Sequence, residues 1–599
     1  MIVLINNKPA VLKKGTSFDF ISENRFFTGA DSYTLSITFP IRGCAQNIDI
    51  FGHIYRKDFD FERELLACEI HDLHFHKYGA VSIVSVSETE VKTQFLEGRS
   101  ATNFYSSLDD IYINEIEMPR IDIMAHWEAA HYLRSYAQQR RDEEDGGEYL
   151  GFVCLPWVNN TSGNIQNKMV ANRNGFTYSG GDRYEDPYVM GFPYLVEVIR
   201  QVLTHTGYSF DLSALENSQW ANLVVCQGFP LTWDMKFMHQ ILPHWTVSEF
   251  LEQVELLTNG SFELDGKLQR FTFSFNYDLI EEMPVVPIEE VVDSHSVEIA
   301  EESDTKDDYI EQKNLEYAEC SHQMWKFYSC DWAKGALPVY RHESITGMRN
   351  ALNAYLDCAG PYNSYVYRWL HYCRQEDTYF VLKCVRTQKI NNVIHHYMRL
   401  QPVNVFGPKV INTVEGAESE ELRIVPACID HTDDTNGDML FIDCGTLGDD
   451  YEDEEDKDEN QTQAVNALSV GEKQKKEEFF DKIYVAFWDG SVTRYHPQMP
   501  HPAIDRYEFT QDNVLVRSAF SMRLKGTQSP DSRTMKYRVD QRRKFTFSFL
   551  SDSIPDVRSI FLIHGKKYLA EKITATFSAE TGMSQLLKMV CYRLKDDLT

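Results

Sequence analysis

Basic residues are scarce in this sequence: 59 Lys and Arg stand against 90 Asp and Glu over 599 residues, a formal charge of −31. That balance argues against a surface built to neutralise phosphate, whether of nucleic acid or of anionic lipid. Long apolar runs are missing too. No stretch of about 18 apolar residues occurs, so no membrane-spanning helix is expected. The opening MIVLINN offers only about four apolar residues before the polar Asn6-Asn7, too few for a secretory leader. The 12 cysteines include no CxxC pair, which disfavours a zinc knuckle or a redox motif and leaves buried free thiols as the expectation. What is present is ample apolar material, 43% hydrophobic with 13% aromatic. Global disorder is therefore excluded, and the length predicts about four domains.

Residues 1–118 read as a β-barrel-like domain. Tyr33 to Phe39 alternates apolar and polar side chains, the period of a strand with one buried face, and Pro40 ends it because proline cannot donate to a ladder. Strands follow at Ala80–Val86 and Val91–Phe95, with Ser87 to Glu90 as the turn between them. Residues 119–190 read as a helix over Asp122 to Gln139 followed by a charged loop and a long irregular insertion over 158–187.

Residues 191–289 carry the sharpest local signals. Leu195, Val198, Ile199 and Val202 share one helical face, with Pro193 at the start and Gly207 at the stop. Thr246-Val247-Ser248-Glu249 is a capping box, Val247, Phe250, Leu251 and Val254 form the stripe behind it, and Asn259-Gly260 ends the helix. Asp265-Gly266 between two apolar-patterned runs then predicts a hairpin, with its second strand over Lys267 to Phe275.

Residues 290–447 read as a mixed, aromatic-rich β domain with a strand at Tyr365–Trp369. In 448–477 the composition breaks. Asp449, Asp450, Glu452 to Asp456, Asp458 and Glu459 face a single Lys457, so mutual repulsion predicts a disordered acidic linker. The last segment, 478–599, returns to strand texture at Ile483–Trp488, Lys544–Phe549, Ile560–Ile563, Tyr568–Phe577 and Leu586–Leu594. The fold class predicted is α+β, mainly β, with several small barrel or sandwich domains plus the helix–hairpin segment.

Catalytic and cofactor motifs give little. His126-x-Glu128-x-x-His131 spaces its histidines five apart, off one helical face, unlike the HExxH zinc signature. In His71-Asp72-Leu73-His74-Phe75-His76, His74 and His76 would share a strand face, but no third ligand is evident nearby. Gly260 and Gly266-Lys267 lack the spacing and the Ser or Thr of a P-loop, and no GxSxG elbow occurs. Thr432, Asp434, Asn436, Gly437 and Asp443 fall on calcium-loop offsets but lack the first Asp and the bidentate Glu. The basic run Gln541 to Lys544 is short and reads as a source of salt-bridge partners. Tyr365, Tyr367 and Trp369 would line one strand face, where they could stack on sugars or serve a core or interface. No catalytic residue, metal site or cofactor is predicted.

Three stretches in order resemble a known class. They are Tyr33–Phe39 and Pro40 leading to Asn47-Ile48-Asp49-Ile50-Phe51-Gly52-His53; Pro193-Tyr194-Leu195 to Gly207-Tyr208 with the Trp245–Leu257 helix and its hairpin; and Phe561 to Tyr568 with Glu571-Lys572-Ile573. Together they are similar to tail proteins of phages and prophages of Bacteroidales, in the baseplate hub or tail-associated (tail tip) class. The resemblance implies a virion protein assembled in the host cytoplasm, structural rather than enzymatic. It implies a homo-oligomeric ring, trimer favoured, joined to other tail proteins, with no membrane anchor and no specific nucleic-acid binding. A distal tail ring protein, or an adhesin reading a host surface glycan through Tyr365, Tyr367 and Trp369, is the alternative.

Overall fold

The computed structural model describes residues 1–24, 27, 33–34, 36–56, 65–73, 75–97, 108–120, 122–123, 151–153, 158–159, 165–166, 169–172, 175–178, 189–226, 237–265, 268, 270–275, 283–299, 314–318, 339–359, 370–403, 419–431, 440–443, 482–488, 502–505, 507–511, 514–524 and 537–596. Period-2 burial dominates these segments, and they form a mainly-β α+β protein whose sheets curl into half-barrels.

The largest sheet has 14 strands and draws them from both ends of the chain. Its path runs Lys8–Ala10, Ile2–Ile5, Leu65–Asp72, Phe75–Val86, Glu90–Leu96, Tyr33–Thr34, Ser17–Glu23, Lys566–Ser578, Gly582–Asp596, Tyr537–Leu550 and Val291–Ile299. The junction between the two ends is an antiparallel ladder from Ser17↔Ser578 to Glu23↔Lys572. Alternation turns Phe18 and Phe20 inward beside Ile573, Ala575 and Phe577. Phe20 is 1% exposed, and its ring lies 4.9 Å from Phe75 and 6.5 Å from Phe577. Asn24, fully buried, donates from Nδ2 to the Ala570 carbonyl at 2.9 Å, while its backbone N–H donates to the Glu571 carbonyl. Strands of the segments 1–118 and 478–599, read from sequence as two domains, thus contribute to one sheet.

The Tyr33–Phe39 strand is divided. Tyr33–Thr34 and Ile37–Pro40 are separate short strands, each paired with Glu90–Leu96. Beyond Pro40, the helix Ala45–Phe51 carries the buried Asn47. Its Oδ1 accepts from the Val11 N–H, and its Nδ2 donates to the carbonyls of Val11 and Pro40 at 2.8 and 2.6 Å. One amide side chain thus satisfies three backbone groups that a strand neighbour would otherwise supply. Phe51 packs on Phe39 at 5.4 Å, and Gly52 closes the turn at φ 66°, ψ −156°, a region open essentially to glycine. Asn6-Asn7 and His564-Gly565 both have positive φ and close two-residue hairpins, Ile5↔Lys8 and Ile563↔Lys566, as primed turns require.

A second core surrounds the helix Leu195–Thr206, which ends at Gly207 in the left-handed region, φ 79°. The Thr246 cap is formed as read: its hydroxyl accepts from the Glu249 N–H, and the Glu249 carboxylate accepts from the Thr246 N–H, both at 3.1 Å. Val247, Phe250, Leu251 and Val254 are buried, and Asn259 ends the helix at φ 55°. The hairpin Gly260–Asp265 and Arg270–Phe275 follows. Its register joins Asp265 to Arg270, so the second strand starts three residues later than the Asp265-Gly266 signal suggested. Asp265 Oδ1 accepts from the Leu268 N–H inside the wider loop.

The strand Ile483–Trp488 is buried along its whole length between Leu223–Val225 and Ile424–Pro426, which explains its unbroken apolar sequence. A third core lies under the parallel pair Val339–His342 and Leu370–Cys373, the helix Ile345–Leu356 and the long hairpin Thr378–Ile390 with Val393–Val403.

Two further expectations change. Asp122–Ile123, read as the start of a helix, is a short strand paired with Val189–Met190. Part of 158–187 forms short strands, including the pair Met169–Asn172 with Gly175–Tyr178. The remainder of the Asp122–Gln139 helix and the acidic linker of 448–477 lie outside the described residues.

Candidate functional site

The hairpin Leu65–Asp72 with Phe75–Val86 gathers a polar cluster near its turn. Glu69 and His71 are two apart and share a face, and the register places His71 opposite His76 and Glu69 opposite Tyr78. Glu69 Oε1 lies 2.8 Å from His71 Nε2 and 2.6 Å from His76 Nε2. The two imidazoles stack at 3.9 Å, and the Tyr78 ring lies 4.8 Å from His76. Partial burial pushes the Glu69 carboxyl up, but hydrogen bonds from Tyr78 and His76 and the adjacent imidazoles outweigh it and hold the group below its usual range. The same bond to Glu69 raises the Tyr78 phenol. Asp72, at the strand end, accepts from the Met583 N–H at 2.8 Å, tying this hairpin to the C-terminal strands.

A second feature is an edge. Val291–Ile299 ends the large sheet, paired on one side with Tyr537–Leu550, and no described strand covers its other side. Val292 and Val297 are over a third exposed, and Ile299 is 73% exposed. An uncovered strand edge carrying apolar side chains is a template for adding another strand.

A third is a buried polar network. His342 Nε2 and His371 Nδ1 are 3.1 Å apart, and Tyr340 stacks on His371. Burial, with the neighbouring His342 adding to it, lowers the His371 pKa to about 4, and burial also lowers that of His342. Both imidazoles are therefore neutral near pH 7. Arg523 and Asp505, both buried, are joined at 2.9 Å, and Arg523 also donates to the Asp377 carbonyl and Thr378 Oγ1. Through these last two bonds Arg523 fastens the segment beside the second core to the loop before the long hairpin.

Several residues singled out in the sequence fall outside the described residues: Tyr365, Tyr367, Trp369, His126, Glu128, His131, His74, Gly266, Lys267, Thr432, Asp434, Asn436 and Gly437. Of the calcium-loop offsets only Asp443 is described, in a strand opposite Cys428. Gly260 opens a strand where an added Cβ would meet the Phe273 ring at 2.3 Å, so packing explains it. Lys544 meets Glu571, and Tyr592 donates to the same carboxylate. Ile37, Phe39, Trp245, Phe250, Phe561 and Tyr568, from the three elements of the resemblance, are all buried core. The Glu69 cluster escaped the sequence reading, which paired His74 with His76 along one strand. Its signal was available as Glu-x-His facing a histidine across a short turn.

The fold class is thus a mainly-β α+β assembly of strands, and among the described residues no helix is long and apolar enough to cross a membrane. No family model matches the chain, and no curated protein matches it. Among solved structures it is similar to the tail protein from Neisseria meningitidis MC58, at 7% identity, covering 99% of this chain and 95% of that one with a TM-score of 0.26. It is also similar to the 43 kDa tail protein of prophage MuSo2 from Shewanella oneidensis, at 6% identity, covering 98% and 97%, with a TM-score of 0.25. Scores this low establish no shared fold.

Proposed function

We propose that the chain is a structural subunit of a phage tail, a hub-like ring component linking tail tube to tip proteins, acting by self-assembly and not by catalysis. The observation that carries this reading is the Val291–Ile299 edge, whose outer side no described strand covers, with its exposed Val297 and Ile299. A soluble protein that leaves such an edge open invites pairing, and a second copy adding a strand there makes a heterologous contact that closes into a ring on rotation. The resemblance of the three sequence stretches names the setting. The formal charge of −31 suits it, because a wall past which DNA slides must not hold phosphate with Lys and Arg.

Light scattering on the purified chain across a concentration series tests the proposal. A discrete closed multiple, trimer favoured, is expected. A single-chain mass at every concentration contradicts self-assembly.

A further inference from the structure

We propose that Glu69, His71 and His76 form a binding site for a divalent transition metal of the zinc class. The three ligand atoms, one carboxylate oxygen and two imidazole nitrogens, all lie within 4.8 Å of one another. Two imidazoles and one carboxylate are a donor set that Zn2+ takes in tetrahedral sites, with the fourth position left to water. Both Nε2 atoms converge on the same Glu69 oxygen, at 2.8 and 2.6 Å. A cation held there replaces two separate imidazole contacts to that oxygen with one shared centre.

The geometry comes from the backbone rather than from flexible side chains meeting by chance. His71 and His76 are directly opposed in an antiparallel ladder that continues through Asp72↔Phe75, and Asp72 is anchored by the Met583 N–H. Tyr78 donates to Glu69, an outer hydrogen bond of the kind that orients a ligating carboxylate. The imidazoles are also reachable, with His71 and His76 side chains 37% and 42% exposed while Glu69 is 13% exposed. A metal can enter from solvent, and its fourth ligand faces solvent. This inference is independent of the ring assembly.

The test uses the full-length chain, stripped with chelator and titrated with Co2+ by visible absorption and with Zn2+ by calorimetry. One equivalent per chain is expected, with the intense d–d bands of a tetrahedral Co2+ site and a Zn2+-dependent rise in Tm. His71→Ala and His76→Ala each abolish the bands. Tyr78→Phe, which strips the outer hydrogen bond to Glu69, weakens binding by about 10–100-fold, and the exposed-residue control His205→Ala leaves it unchanged. Circular dichroism of each variant checks that the hairpin still folds, as half-exposed positions allow. Absence of stoichiometric uptake by the wild-type chain overturns the proposal. So does undiminished uptake by a folded H71A/H76A double variant.

Discussion

The helix–hairpin unit of residues 193–275 and the sheet shared by the two chain ends reach similar burial by opposite routes. In the first, the instructions are local: Thr246 caps its own helix through Glu249, Asn259 ends it, and Phe262 and Phe273 face each other across a hairpin. In the second, Phe20 meets Phe577, Asn24 bonds Ala570, and Asp72 holds Met583. Each of those pairs joins residues more than 500 positions apart. Such contacts close very long loops, so this sheet is expected to form late and cooperatively, with both ends contributing.

The largest effect expected follows from that dependence. A fragment of residues 1–118 lacks the partner of Ser17–Glu23 and shows no cooperative thermal transition by circular dichroism. Adding a 537–599 fragment restores one. A cooperative melt of 1–118 alone breaks the comparison. Within the intact chain, Phe20→Ala empties a site at the junction and lowers stability by about 3–5 kcal/mol, read from the urea midpoint.

Acid addresses the third core. The His371 pKa is about 4 in the folded chain against about 6.5 unfolded. The unfolded state therefore binds the extra proton first. The contribution is complete above pH 6.5 and is lost as pH falls toward 4, on the order of 3 kcal/mol. Replacing His371 with Gln flattens the stability–pH slope across that window; an unchanged slope contradicts the assignment. The smallest effect belongs to the local unit, where Thr246→Ala costs about 1 kcal/mol because one cap is lost.

This division also explains what was legible in the sequence. Helix stops at Gly207 and Asn259 and the capping box are written within a few residues, and they appear where the spacing put them. Ala80–Val86 lies in a strand, but Ala80 to Ile83 are all buried and a register shift between Ile83 and Ser85 breaks the alternation read from the sequence. The hairpin after Asp265 forms, with a loop wider than the Asp-Gly pair indicated. Which strand pairs with which was not legible, because Ser17–Glu23 carries no mark of Lys566–Ser578 beyond a matching apolar face. Asp122–Ile123 became a strand for the same reason: pairing with Val189–Met190 overrode a helical pattern. The Glu69–His71–His76 cluster needed knowledge of register, since a one-residue slip would send His76 to the other face.

The central claim is that copies of the chain join through the Val291–Ile299 edge. Light scattering on Val297→Lys/Ile299→Lys beside the wild-type chain tests it most directly, since two charges on exposed positions spare the core but oppose edge pairing. The account predicts a closed oligomer for the wild type and single-chain mass for the variant. An oligomer of unchanged mass in the variant would contradict it.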